Sequence, residues 1–123
     1  INSLAMAPIR HIYEFEDLLS EKLYNLDGLE FARNTGASAY QSDDAFFSVD
    51  GFLYDRCCVV ANGKDFYEQV LKDPEKMPKD KSFGALLRIA SLAYKHKTGK
   101  ELEYVPAFNY ETYSNKEGWK NAG

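Results

Sequence analysis

Ile9, Ile12, Phe15, Leu19, Leu23 and Leu26 recur at steps of three and four, which places them on one face of a helix ending before Asp27-Gly28. A shorter helical piece is predicted from Leu29 to Asn34, stopped by Asn34-Thr35-Gly36, with 37–41 as loop. Phe46, Val49, Leu53, Cys57 and Val60 form the next stripe, opposite Asp44, Ser48, Gly51 and Asp55. An amphipathic helix is therefore predicted from about Asp43 to Asn62, with Ser42-Asp43-Asp44 as its start signal. Gly51 weakens it by about 1 kcal/mol relative to alanine.

Asn62-Gly63 breaks the pattern, and Phe66, Tyr67, Val70 and Leu71 mark a short helix halted at Asp73-Pro74. A connection over 74–81 follows, after which Asp80 or Ser82 can cap a helix that buries Leu86, Leu87, Ala90, Ala93 and Tyr94 and stops at Thr98-Gly99. Beyond Gly99, Leu102, Tyr104, Pro106, Phe108 and Tyr110 alternate with Glu101, Glu103, Val105, Ala107 and Asn109, which reads as extended chain. Pro106 lacks an N–H, so this is an edge strand or an irregular arm. The expected fold is mainly α: a compact bundle of four to five short helices with an extended aromatic-rich C-terminal arm over 103–123. One globular domain over 1–123 is expected.

Composition agrees with a packed core, since 45% of the 123 residues are hydrophobic and the 18 aromatics (nine Tyr, eight Phe, one Trp) supply ample apolar surface. No apolar run approaches the length of a membrane span, so no membrane association is expected. The formal net charge of -4 makes nucleic acid a poor partner. Lys95, His96, Lys97 and Lys100 are accounted for by the end of a helix, and Lys72, Lys76, Lys79 and Lys81 are interleaved with Asp73, Glu75 and Asp80. Adjacent Cys57 and Cys58 do not make a disulfide framework, and they read as buried thiols in a reducing, cytoplasmic compartment. Residues 1–10 lack the layout of a targeting signal, and the opening on Ile1 rather than Met implies processing or trimming.

His11, His96, Cys57 and Cys58 lack ligand spacing, so no metal and no cofactor are expected, and the motifs of nucleotide binding, acyl transfer and zinc proteolysis are missing. Asp43, Asp44, Asp50 and Asp55 form the one acidic group that could divide acid and base roles. Asp43 and Asp44 are explained as first-turn residues and Asp55 as the polar face of the same helix. Asp50 is open to three readings: a helix cap, a partner of Arg56, or a ligand contact. Tyr104, Phe108, Tyr110, Tyr113 and Trp119 lie close in sequence; they either fold back to complete the core or present a binding patch.

Ser48-Val49-Asp50-Gly51-Phe52, Tyr54, Arg56, Gly63, Phe66-Tyr67-Glu68, Leu71, Asp73-Pro74-Glu75 and Met77 together resemble a bacterial family, domain of unknown function 4240. The family pattern runs Ser-Asp-Asp-Gly-Phe, an aromatic and often an Arg, an apolar helix ending in Gly, an aromatic-Glu helix, and Asp-Pro. Ala90, Ala93-Tyr94 and Lys97-Thr98-Gly99-Lys100-Glu101-Leu102 are similar to its closing helix, so the family-like core spans 18–102. Val49 replaces the family's first Asp, which leaves Ser42 and Ser48 as competing starts of the central helix, and Cys57-Cys58 stands where a Trp is commoner. The resemblance implies a small, mainly helical, cytoplasmic bacterial domain with no established reaction.

Two functional readings follow, and no catalytic residue is assigned. The first is a protein-interaction module, with a toxin or a defence component among the conceivable partners. The second is a small-molecule-binding domain or small enzyme with a site around Asp50 and Arg56. The candidate binding residues across both are Asp50, Tyr54, Arg56, Tyr110 and Trp119. A homodimer built on an isologous helix pair is a weaker third reading.

Overall fold

The computed structural model describes residues 8–37, 39–42, 44–81 and 83–120. The capping roles considered for Asp43 and Ser82, residues 1–7 and the last three residues of the arm lie outside the described residues. Among the described residues the architecture is helical, without strands.

Helix α1 (Ile9–Asn25) follows the predicted stripe and buries Ile12, Leu19 and Leu23. A single turn, α2 (Leu29–Ala32), follows Gly28. The next helix among the described residues is α3 (Val49–Ala61), which starts six residues later than about Asp43. Ser42 closes only a turn, through Ala45 N–H to its carbonyl at 3.2 Å, whereas the Ser48 hydroxyl accepts from Gly51 N at 3.0 Å. Ser48 is therefore the cap, as N-cap chemistry requires of the residue whose oxygen reaches a first-turn N–H. Helix α4 (Lys64–Lys72) follows Gly63, whose φ of 101° is the left-handed region that a glycine tolerates. A 3₁₀ turn, Pro74–Lys76, and a 3₁₀ segment, Gly84–Arg88, lead into α5 (Ile89–Thr98), which ends as predicted on left-handed Gly99.

Helix α3 lies at the centre, packed against α1, α4 and the 3₁₀ segment Gly84–Arg88, while α5 packs on α1. Seven of the 13 residues of α3 are buried, Asp55 and Arg56 included. The amphipathic reading of this helix is thereby corrected: Asp55, expected on a polar face, is only 8% exposed, because neighbours cover that side too. Around α3 sit Leu26, Leu29, Tyr40, Phe52, Val59, Tyr67, Val70, Met77 and Trp119 on one side and Leu19, Leu23, Leu53, Cys57 and Leu86 on another. Ile12, Ala90 and Ala93 join α1 to α5.

The segment after Gly99 is an irregular arm closed by a short helix, α6 (Lys116–Trp119), which the alternation in the sequence did not indicate. It folds back along the bundle. Tyr104 donates its hydroxyl to Asp17 Oδ2 at 2.7 Å and Ala107 N–H donates to Asp17 Oδ1 at 2.7 Å. Further along, Asp27 accepts from Tyr113 N at 3.1 Å, Asn115 N at 2.9 Å and Trp119 Nε1 at 2.6 Å. Gly118 permits this close approach, since a Cβ there would lie 2.5 Å from the Asp27 carbonyl oxygen. No helix among the described residues is long and apolar enough to cross a membrane.

Candidate functional site

Arg56 is fully buried, with its guanidinium pointed at the arm. Its Nη1 donates to the carbonyls of Leu23 and Tyr110, both at 2.9 Å, and its Nη2 to Thr112 Oγ1 at 3.0 Å. Thr112 in turn donates to the Val49 carbonyl at 2.7 Å, so Arg56 and Thr112 pin the arm across the first turn of α3. The Phe52 ring lies 4.7 Å below the guanidinium, and Nε has no hydrogen-bond partner. Burial lowers the Arg56 pKa to about 10, with Asp27 the leading charge that opposes the shift, so the group stays ionised at neutral pH. A cation held this way is a fastener; it does not meet a ligand from solvent.

Asp50 is exposed in the first turn of α3, where its charge complements the positive end of the helix. It sits six residues from Arg56 on another face, so the pocket expected around Asp50 and Arg56 does not form: one group is in water and the other is enclosed. Tyr54 is part exposed, lies against Gly84, and lines a shallow depression of 380 Å³ with Ala85, Leu87 and Arg88. Tyr110 is half-buried beside Leu19, Leu23 and Leu53. Of the five candidate residues, Arg56 and Tyr110 are brought into contact.

Trp119, at 7% exposure, belongs largely to the core, and so the arm folds back instead of standing out. Its remaining edge nevertheless opens on a groove of 580 Å³ lined by Tyr40, Ser42, Ala45, Phe47, Val49, Tyr113 and Trp119. The rings interlock edge to face: Tyr113 and Trp119 have centroids 4.6 Å apart, Tyr40 and Trp119 5.4 Å, Tyr40 and Phe47 5.3 Å. Val49 of the groove wall is 41% exposed, and Phe46, between Ala45 and Phe47 in the chain, is 92% exposed. Sequence reasoning assigned Phe46 and Val49 to the buried stripe of a helix and did not consider Tyr40 or Phe47. The available signal was the Phe46-Phe47 pair between Ser42 and Ser48, which falls outside the helix once Ser48 is its cap.

The other chemistries tested on the sequence find no assembly here. Among the described residues no three His, Cys, Asp or Glu side chains come together as metal ligands. Cys57 is a free, buried thiol whose pKa burial pushes up to about 12, which leaves it protonated and unreactive. Asp55 is the most perturbed carboxyl: burial, then the nearby Asp80 charge, raise it to about 6 against the opposing pull of Arg56. It is absent from the groove's lining, and the carbonyl of the preceding Tyr54 accepts from Phe83 N at 3.1 Å.

Fold and groove together define a mainly helical domain strapped by its own C-terminal arm. The family model described as protein of unknown function (DUF4240) matches residues 1–111, and the chain belongs to that family. No curated protein and no solved structure matches it.

Proposed function

We propose that this domain is a protein-interaction module that docks its partner on the aromatic groove at the start of α3. The observation that carries the reading is a groove walled by four aromatic rings in which Val49 and Tyr113 stay exposed, with Phe46, 92% exposed, next to Phe47 of its wall in the chain. An isolated exposed apolar residue needs no explanation, but Val49 and Tyr113 are both exposed within one groove, a grouping of the kind that marks binding surfaces. Covering a Phe side chain contributes about 1.5–3 kcal/mol, and aromatic residues dominate binding hot spots. Arg56, Asp27 and Asp17 hold the arm that forms one wall, which keeps the groove pre-formed and lowers the ordering cost of binding. The free adjacent cysteines and the family pattern support a bacterial, cytoplasmic setting for this partner.

The test compares the full chain with Phe46→Asp, both purified from the native host and weighed by native mass spectrometry. The reading expects a stoichiometric partner on the unsubstituted chain that changes the emission of Trp119 and is absent from Phe46→Asp, with both chains equally stable to denaturant. A partner retained in full by Phe46→Asp would refute the groove as the docking surface.

A further inference from the structure

We propose that a cleft between α1 and the end of α3 binds a free alkyl carboxylate of medium chain length, the chain lying along α1 and the carboxylate meeting Lys22. The site shares no lining residue with the aromatic groove and is independent of the docking reading. The cleft has a volume of 280 Å³, and Phe15, Leu18, Leu19 and Lys22 of α1 line it with Val60 and Ala61 of α3 and Leu86 of the 3₁₀ segment. Leu19 and Leu86 belong to the buried core and Phe15 and Val60 pack against it, whereas Leu18 is 55% exposed. The four residues of α1 recur at steps of three and four, so they share one face of the helix. From Phe15 to Lys22 that face rises about 10 Å, the length of an extended chain of about eight carbons. An alkyl chain laid there takes Leu18 out of water, which is the apolar driving force.

Lys22 decides the polar end. Among the described residues that line the cleft it alone is charged, and its Nζ rests 4.4 Å from the centroid of the Tyr67 ring. Tyr67 is itself held, donating to the Lys22 carbonyl at 3.3 Å and accepting from Asn25 Nδ2 at 3.4 Å. The cation–π contact positions the ammonium without supplying an acceptor for its three N–H donors. Among the described residues no carboxylate forms an ion pair with it and no oxygen accepts a hydrogen bond from it. A positioned cation with open donors, on a residue that lines an otherwise apolar cleft, is the complement of an alkyl chain ending in a carboxylate.

The surrounding charges lie outside the lining: Glu14, Glu16, Asp17 and Glu21 on α1, Asp55 and Arg56 on α3, Lys64 and Glu68 on α4, and Arg88 after Leu86. Asp17 is taken up by Tyr104 and Ala107 of the arm, Arg56 by Leu23, Tyr110 and Thr112, and Lys64 by Glu68. Burial chiefly, and Glu21 to a lesser degree, raise the Tyr67 pKa against the hydrogen bond from Asn25, so Glu21 is the carboxylate that opposes an anionic head here. The formal charge of -4 acts on every anion alike and is screened beyond roughly 8–10 Å at physiological salt, whereas a head on Lys22 is in direct contact.

The probes are octanoate, octylammonium and butanoate below their micelle concentrations, titrated into the full nitrogen-15-labelled chain and followed by amide chemical shifts. Octanoate is expected to shift the amides from Phe15 to Lys22 saturably and to bind at least about tenfold more tightly than butanoate, which has the same head and four fewer methylenes. It should also bind about fivefold more tightly than octylammonium, although the net charge of the protein favours the cation. Lys22→Gln should abolish that preference, and Leu18→Asp should weaken octanoate about tenfold, with circular dichroism confirming that both variants fold. Phe46→Asp should bind octanoate as the unsubstituted chain does, which keeps this site distinct from the docking groove. No saturable shift, equal binding of octanoate and butanoate, equal or tighter binding of octylammonium, shifts centred outside the cleft, or an unchanged preference in Lys22→Gln would each overturn the inference. Binding to anionic phospholipid vesicles without saturable binding of octanoate would do the same, and would reassign this face to a membrane surface.

Discussion

Trp119 Nε1 donates to Asp27 Oδ1 at 2.6 Å, across 92 positions of sequence. The same fully buried carboxylate takes the backbone N–H groups of Tyr113 and Asn115, so one side chain at the end of α1 satisfies three donors of the arm. Removing it strands those donors away from water, and an unsatisfied buried polar group costs about 1–3 kcal/mol. Asp27→Ala should lose about 3 kcal/mol in urea denaturation, and Trp119 emission should move to the red as the arm lifts. Unchanged emission would mean that the apolar contacts of Trp119 alone seat the arm.

Arg56 fastens the same arm from the other side. Arg56→Lys keeps the charge but lacks the planar fork that reaches Leu23, Tyr110 and Thr112 together. Both Arg56→Lys and Arg56→Met should destabilise by about 2 kcal/mol or more and speed proteolysis within 103–114, with lysine rescuing little. Limited proteolysis read by mass spectrometry locates the cut; cleavage elsewhere first would contradict a fastener's role.

Asp55 makes stability depend on pH. Its carboxyl stands at about 6 in the fold against an ordinary 3.8, with burial the main cause, so the folded state prefers the protonated form. Its contribution is fully present below about pH 4 and is lost as pH rises through 6, amounting to roughly 3 kcal/mol. Asp55→Asn mimics the protonated group. It should therefore be more stable than the natural chain at pH 8 and equal to it near pH 4, and thermal melts at both values decide the matter. A difference that grew toward low pH would reverse the assignment.

The start of α3 can be checked by paired substitutions. Ser48→Ala removes the oxygen that accepts from Gly51 N and should cost about 1 kcal/mol, whereas Ser42→Ala should stay within about 0.5 kcal/mol. Circular dichroism during denaturation measures both.

Period and punctuation in the sequence were sufficient to place α1, α4 and the stop of α5, whose start came at Ile89, behind a 3₁₀ segment, and not at a cap on Asp80. The apolar steps from Ile9 to Leu26, the break at Asn62-Gly63 and the stop at Gly99 each act within one or two helical turns, where neighbours in sequence are neighbours in space. Ser42 and Ser48 offer the same local chemistry, and Phe46 and Phe47 the same apolarity. Which serine caps, and which ring turns inward, was decided when Phe47 met Tyr40, Phe52 and Trp119. Asp55 and Arg56 were likewise unreadable as buried groups, because covering depends on the 3₁₀ segment Gly84–Arg88 and on an arm 54 residues downstream. The groove has the same origin: Tyr40, Phe47 and Val49 meet Tyr113 and Trp119 of an arm held by hydrogen bonds to Asp27 and Arg56. Periodicity records how each short segment divides apolar from polar positions. It carries no record of which distant segment will cover a given face, and in this protein that covering decided where the chain became core and where it stayed open.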